Sequence, residues 1–452
     1  MEEKAELALK QVDEAKLEEI RKSDPSALLA PNSPQFTTPF LRYIGIDCDR
    51  EISGNGFIKL LPSDFIVEEI GLDGQVISIE KREESHTDDP SSNDKPKAEA
   101  DVIKEGIGTL EAADRLANTL RIPLTEIGYA GLKDENALTA QKMSFNGISA
   151  DQLKNISLPN LTLKNIHSRK GIIKVGDLQG NRFTILVRTN DQLDQEMLKT
   201  RLLQVNETGF LNFYSLQRFG SVRLNNHFVG QAIFKGNYDE AIRLILAAPS
   251  EQEIRILANI RAKAADYYGN WAKMADIFAE FPYFFRYDLE LLQELRKTGK
   301  SVLALKQIFK STKLYVHAYR SYWFNRLVSY YIKNKKTLPE ELPILNNLPE
   351  VLALYRQVIP ESELNTLVFD QPFFGGLFGN MMIMIKTRTM PKIHTVYKAP
   401  MGYVFYFDLD KGSYATTFLS ELFDLHQNDP KPDWLDESFF DTRKPMNLDP
   451  VS

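Results

Sequence analysis

Apolar and polar positions follow two different periods along this chain, and the period changes where the chain changes character. A period of two runs through Phe65-Ile-Val-Glu68, with Phe65 and Val67 on one face. It recurs at Phe183-Thr-Ile-Leu-Val187, with Phe183, Ile185 and Val187 together. Both runs predict half-buried strands, and Gly180-Asn181 supplies turn chemistry ahead of the second. A period near that of a helix marks Glu2 to Lys22, through Leu7, Leu9, Val12, Leu17 and Ile20. Pro25, Pro31, Pro34 and Pro39 then make an extended connector. An amphipathic helix is predicted from about Leu110 to Leu120, with Thr109 as its candidate N-cap. From Asn237 to about Lys335 helical patterns dominate, broken at Pro282 and Gly299. Asn237 and Glu240 give a capping-box-like start to a helix over Tyr238–Ala248. Residues 82–101 hold no large apolar side chain, so burial cannot offset their ordering entropy and they read as a flexible surface insertion. His86 within it reads as a solvated histidine.

Composition narrows this picture. A chain of 452 residues suffices for two or three domains with real cores. Its 55 basic and 61 acidic residues give a net charge of -6, which does not advertise nucleic-acid binding, although patches rather than totals carry such binding. The single cysteine, Cys48, excludes an internal disulfide and any multi-cysteine zinc site. The six histidines form no metal-spaced pair, and neither a dinucleotide fingerprint nor a P-loop is present. No apolar run reaches the roughly 18 residues of a membrane span, and the charged start lacks a signal-peptide core. The expectation is a cytoplasmic monomer with no metal and no cofactor.

Two stretches carry candidate chemistry. In Gly128–Gln141, Ile127-Gly-Tyr-Ala130 reads as a strand end and Gly131 as a turn glycine able to take positive φ. That turn delivers Asp134 beside Lys133, ahead of Thr139 and Gln141. Lys-Asp pairs in turns are common, and from these residues alone a solvent-exposed turn is the favoured reading. From Ile166 to Arg188 the chain is locally basic, with Arg169, Lys170, Lys174, Arg182 and Arg188. It is either a strand with a solvated basic face or a hairpin that contacts phosphates.

Ala130-Gly-Leu-Lys-Asp134, with Ala137, Thr139 and Gln141, resembles the signature loop of the TruD family of pseudouridine synthases. Further segments resemble the same family. Lys59 precedes Asp64-Phe-Ile-Val67 and Glu69, and Gly176, Leu178, Gly180, Asn181 and Phe183 match Gly-x-Leu-x-Gly-Asn-x-Phe. Asn212-Phe-Tyr-Ser-Leu-Gln-Arg-Phe-Gly220 matches a family motif, with Tyr214 in place of phenylalanine and Ser215 in place of glycine. Ala318-Tyr-Arg-Ser321 with Asn325 is similar to a family helix in which Arg320 is glutamine. Gly412-Ser-Tyr-Ala-Thr416 with Glu421 is similar to its closing segment. The resemblance spans roughly residues 52–423 apart from the insertion.

The resemblance implies an α+β fold. A split catalytic domain is built on a mixed, largely antiparallel sheet, and a mainly helical insertion domain interrupts it. The implied divisions are 1–50 as N-terminal helix and connector, 51–237 and 386–426 as the two catalytic parts, 238–385 as the insertion, and 427–452 as a tail without inferred role. It implies an isomerase that converts tRNA uridine, by family at position 13, to pseudouridine. Asp134 is the implied catalytic carboxylate, acting covalently or in a glycal route; Lys59 pairs with it and Asn212 positions the uracil or the carboxylate. Tyr214 would stack the flipped base, supported by Lys133, Glu69, Gln217, Arg218 and Phe219, with Arg169 and Lys170 toward RNA. Two rivals remain, a catalytically silent RNA-binding protein and a small-molecule enzyme using Asp134 as a general base. The first would not need the Lys-Asp loop, and the second would not need the basic stretch.

Overall fold

Ten strands make one sheet in the computed structural model, which describes residues 2–80, 96–190, 192–220, 222–374, 377 and 382–443. They are β1 (Asn55–Phe57), β2 (Phe65–Ile70), β3 (Lys97–Glu105), β4 (Ile127–Tyr129), β5 (Leu138–Asn146), β6 (Leu161–Ser168), β7 (Gly180–Thr189), β8 (Lys392–Ala399), β9 (Gly402–Asp410) and β10 (Asp424–His426). The main order is β8-β9-β7-β2-β5-β3-β6, with β1 against β7 and β10, and β4 against β5. Only the pairs β2–β5 and β1–β10 are parallel. The fold is α+β on a mixed, largely antiparallel sheet.

This sheet belongs to a unit made of residues 51–211 and 388–452; residues 1–50 and 212–387 form a second, helical unit. Sequence placed the joins at 237/238 and 385/386, while the compact units part at 211/212 and 387/388. The helix Asn226–Phe234 lies inside the helical unit because its buried face, including Val229, Ile233 and Phe234, packs there. Phe234 and Tyr319 lie ring to ring at 5.1 Å.

Within the sheet unit, β2 is buried on both faces rather than one: Ile66 and Glu68 are enclosed as Phe65 and Val67 are. The helix Thr109–Leu120 sets Ala112, Ala113, Leu116 and Ala117 against Ala98, Ala100, Val102, Met143 and Phe145. Burying side chains of the size of Leu116 or Phe145 contributes about 1.5–3 kcal/mol each. Gly108, not Thr109, is the N-cap; Thr109 is the first helical residue and 2% exposed.

Three further expectations change. Residues 97–101 of the supposed insertion are the start of β3, where Ala98 and Ala100 are fully buried; small side chains were read as nothing to bury when they are what close packing selects. The rest of that insertion up to residue 95, with His86, lies outside the described residues. The basic stretch is not a hairpin, because β6 pairs with β3 while β7 pairs with β2 and β9. The tail also has work within the sheet unit: Arg188 donates to the main-chain carbonyls of Asp436 and Ser438 at 2.7 and 2.9 Å, and Phe440 packs on Leu186, Ala399, Met401 and Val404.

The helical unit is built around the 25-residue helix Phe309–Lys333. Its Tyr319, Trp323 and Phe324 are core residues. Asn237 caps the helix Tyr238–Leu246 by accepting from the Glu240 N–H. The N-terminal helix Glu2–Ser23 docks through fully buried Asp13, whose carboxylate accepts from the Tyr283 and Phe284 N–H groups. Among the described residues no helix is long and apolar enough to cross a membrane.

Candidate active site

The segment between β4 and β5 is tied down at four points, all inside the sheet unit. Thr109 Oγ1 accepts from the Lys133 N–H at 2.8 Å and donates to Gln141 Oε1 at 2.8 Å, while Gln141 Nε2 donates to the Gly131 carbonyl at 3.0 Å. Lys133 Nζ meets Glu69 Oε2 at 2.7 Å, with both side chains 3% exposed. Glu69 Oε1 also accepts from the Lys142 N–H at 3.2 Å. Lys104, itself fully buried, donates its ammonium to the carbonyls of Ile107 at 2.6 Å and Asp134 at 3.0 Å.

This framework presents the Asp134 carboxylate beside an ammonium, next to the exposed Glu135. Asp134 is 38% exposed at its side chain, and Lys59 Nζ lies 3.3 Å from its Oδ1. The Lys59 ammonium also sits 4.4 Å from the centre of the Phe65 ring. Lys59 adopts φ of 60°, a left-handed conformation that costs a non-glycine residue about 1 kcal/mol or more and persists only where surroundings impose it. Gly131, though able to take positive φ, does not use it; the glycine that close approach requires is Gly128, where a Cβ would meet Ile172 Cγ2 and the Ile173 carbonyl at 2.4 Å.

Electrostatics follow from burial. Burial pushes the Lys104 ammonium down to about 8, opposed by the Asp134 charge and assisted by Lys133. Sequence reading passed over this lysine. The signal was there, a lone lysine in Lys104-Glu-Gly-Ile-Gly-Thr109, but only the fold shows that its chain runs inward. On β3, burial acts to raise the Glu99 carboxyl, yet His167, Lys142 and Arg169 outweigh it and hold the group at about 2.

Several expected substrate contacts are occupied elsewhere. Lys133 and Glu69 neutralise each other in the interior, so they fix the loop rather than face a ligand. Phe219 is fully buried and edge-on to His227 at 5.4 Å, a core position. Arg169 pairs with Glu99, Arg182 with Asp408 at 2.7 Å, and Arg188 with Asp64 at 2.9 Å, the last pair 1% exposed on both sides. Lys170 is exposed.

Asn212, Tyr214, Gln217 and Arg218 belong to the helical unit. The Asn212 amide donates to the Lys386 carbonyl at 2.9 Å. Asn325, fully buried, clamps the Tyr214 main chain, accepting from its N–H and donating to its carbonyl, both at 2.9 Å. The Arg218 guanidinium lies 5.1 Å from the Tyr214 ring centre, and Gln217 is exposed. Among the described residues no cluster of histidine, cysteine and carboxylates could hold a metal ion.

Comparison with known proteins converges on one family. Residues 50–344 match the family model described as tRNA pseudouridine synthase D (TruD). A relative from Archaeoglobus fulgidus named "Probable tRNA pseudouridine synthase D" is 34% identical over 311 residues, covering 66% of this chain and 68% of the relative. The tRNA pseudouridine synthase D of Syntrophotalea carbinolica is 31% identical over 284 residues, covering 63% and 66%. A Methanosarcina mazei crystal structure described as a tRNA pseudouridine synthase D covers 86% of this chain and 98% of that one. Its TM-score is 0.61 at 24% identity, a likeness of fold.

Proposed function

This chain belongs to the tRNA pseudouridine synthase D (TruD) family, and we propose that it isomerises uridine to pseudouridine in tRNA with Asp134 as the catalytic carboxylate. The observation that carries this reading is the contrast inside one loop. Lys133 and Glu69 are sealed in the interior, while the adjacent Asp134 is held outward by the same framework with an ammonium beside it.

The reaction breaks the N1–C1′ bond, turns the base, and joins C5 to C1′. N1 gains a proton and C5 loses one, so there is no net redox change. Both routes open to a carboxylate, addition to the ribose and removal of a ribose proton, need an anion fixed in position near C1′. Lys59 keeps the Asp134 oxygens oriented, and Lys104 holds the main chain from which that side chain projects. Uridine 13 is the proposed target.

The test is direct. The purified chain is incubated with bulk tRNA, and pseudouridine is mapped by carbodiimide labelling. Formation at one uridine by the wild type, absent in Asp134→Asn, is the expected result. Turnover retained by the variant would move the chemistry to another group.

A further inference from the structure

The helix Phe309–Lys333 carries Lys313, His317 and Arg320 at positions i, i+4 and i+7, which places them on one face. Arg218 stands close by, since its charge acts on His317 together with those of Arg320 and Lys313. Burial first, and then these three cations, push the His317 imidazole down to about 4. Among the described residues none of the four is paired with a carboxylate.

Arg320 makes the arrangement more than a solvated basic face. It is 3% exposed; its Nε donates to the Leu345 carbonyl at 2.6 Å, and its Nη2 has no hydrogen-bond partner among the described residues. The groups that act on its charge are the phenols of Tyr355 and Tyr214. Arg261 shows what the same unit does with a structural arginine: it is equally enclosed but bound by Glu253 at 3.1 Å and Asp288 at 2.7 Å. A buried guanidinium without a counter-ion is costly, and an anion supplied from outside removes that cost.

We propose that Arg218, Lys313, His317 and Arg320 form an anion subsite that takes a backbone phosphodiester of the RNA substrate, beside the Tyr214 ring. An aromatic ring flanked by cations suits single-stranded nucleic acid, whose bases stack while its phosphates pair. A chain of net charge -6 repels a polyanion overall, so affinity has to come from local cations that no internal carboxylate has neutralised. The proposal rests on the function proposed above for its choice of RNA. Arg320 stands where the resemblance expects glutamine, so this chain gains a charge there.

The experiment measures tRNA affinity by fluorescence anisotropy across a salt series for the full chain and for Lys313→Gln, Arg320→Gln and the double variant. Each lost phosphate contact is expected to shallow the log-affinity against log-salt slope by roughly one, with about two lost in the double variant. Lys313 is exposed, so Lys313→Gln decides the matter if Arg320→Gln lowers the melting temperature. Unchanged slopes in Lys313→Gln, and in an Arg320→Gln that melts normally, would overturn the subsite. Inorganic phosphate that shifts the His317 ring signals in nuclear magnetic resonance while all tRNA slopes stay unaltered would make it a free-anion pocket and overturn the RNA assignment. Wild-type binding with shallower variant slopes but no pseudouridine formed would sustain the subsite and sink the proposed function instead.

Discussion

Arg169, Arg182 and Arg188 in the sheet unit each meet a carboxylate of that unit, whereas among the described residues Lys313 and Arg320 in the helical unit, on either side of a neutral His317, meet none. In the sequence the first set is the more conspicuous, a dense basic stretch in an acidic chain; the second is spread over a helix among aromatics. Folding reverses their significance. Glu99, Asp64 and Asp408 are distant in sequence from the arginines they neutralise, and once paired those arginines hold strands and tail together. A cation matched inside its own unit positions structure; one left unmatched is available to an outside anion. Asp134 differs from both sets: it is matched by Lys59 at 3.3 Å yet stays 38% exposed, whereas the neighbouring pair of Glu69 and Lys133 is sealed, so its availability comes from exposure rather than from a missing partner.

Removing that presented charge is expected to have the largest effect. Asp134→Asn keeps the shape but loses the anion, so pseudouridine formation should fall by about a thousandfold or more in single turnover, with tRNA affinity and melting temperature nearly unchanged. A fall of less than tenfold would place Asp134 among the structural carboxylates.

Arg188→Met probes a matched cation. It strands Asp64 in the interior and frees two tail carbonyls, so unfolding in denaturant should come at about 3–5 kcal/mol lower stability. The salt slope of tRNA binding should not move. A shallower slope would mean that a buried, paired arginine still reaches RNA, which would break the distinction.

The third expectation concerns the matched set on β3. Replacing residues 84–95 with a short Gly/Ser linker should leave the melting temperature unchanged, because that segment's side chains offer little apolar area. Extending the replacement through residue 100 deletes buried Ala98 and Ala100 and takes Glu99 from Lys142, His167 and Arg169, at a cost of about 3 kcal/mol. Equal melting temperatures would show that β3 begins later than Lys97.

Lys104 is the intermediate case, a buried cation matched by carbonyls alone, and its expected effect is the smallest. Its ammonium lies near 8 in the folded chain against 10.5 ordinarily, so the folded protein releases the proton first. Between about pH 8 and 10.5 the unfolded chain holds more protons, and stability relative to Lys104→Met should rise with pH. Turnover should move the other way, falling above about pH 8 as the Asp134 carbonyl loses its charged donor. Lys104→Met should lower kcat about tenfold and erase that alkaline limb. A limb retained in the variant would assign it to another group.

Local pattern by itself settled a good deal here. The strands at Phe65 and Phe183, the helix after Gly108 and the cap at Asn237 are legible because each depends on neighbours within a few residues, where period and capping chemistry act. The Asp134 loop could be located for the same reason, since its motif is contiguous. What the loop does with each residue was decided elsewhere: Thr109 is a brace rather than a cap, Lys133 a buried partner, Lys104 an anchor, and Gly128 rather than Gly131 the glycine that close approach requires. Which charges are cancelled, and by what, was likewise out of reach of the sequence. Pairing depends on which distant strands and helices meet, and a charge's meaning is fixed by the counter-charge and the burial that only the tertiary fold supplies.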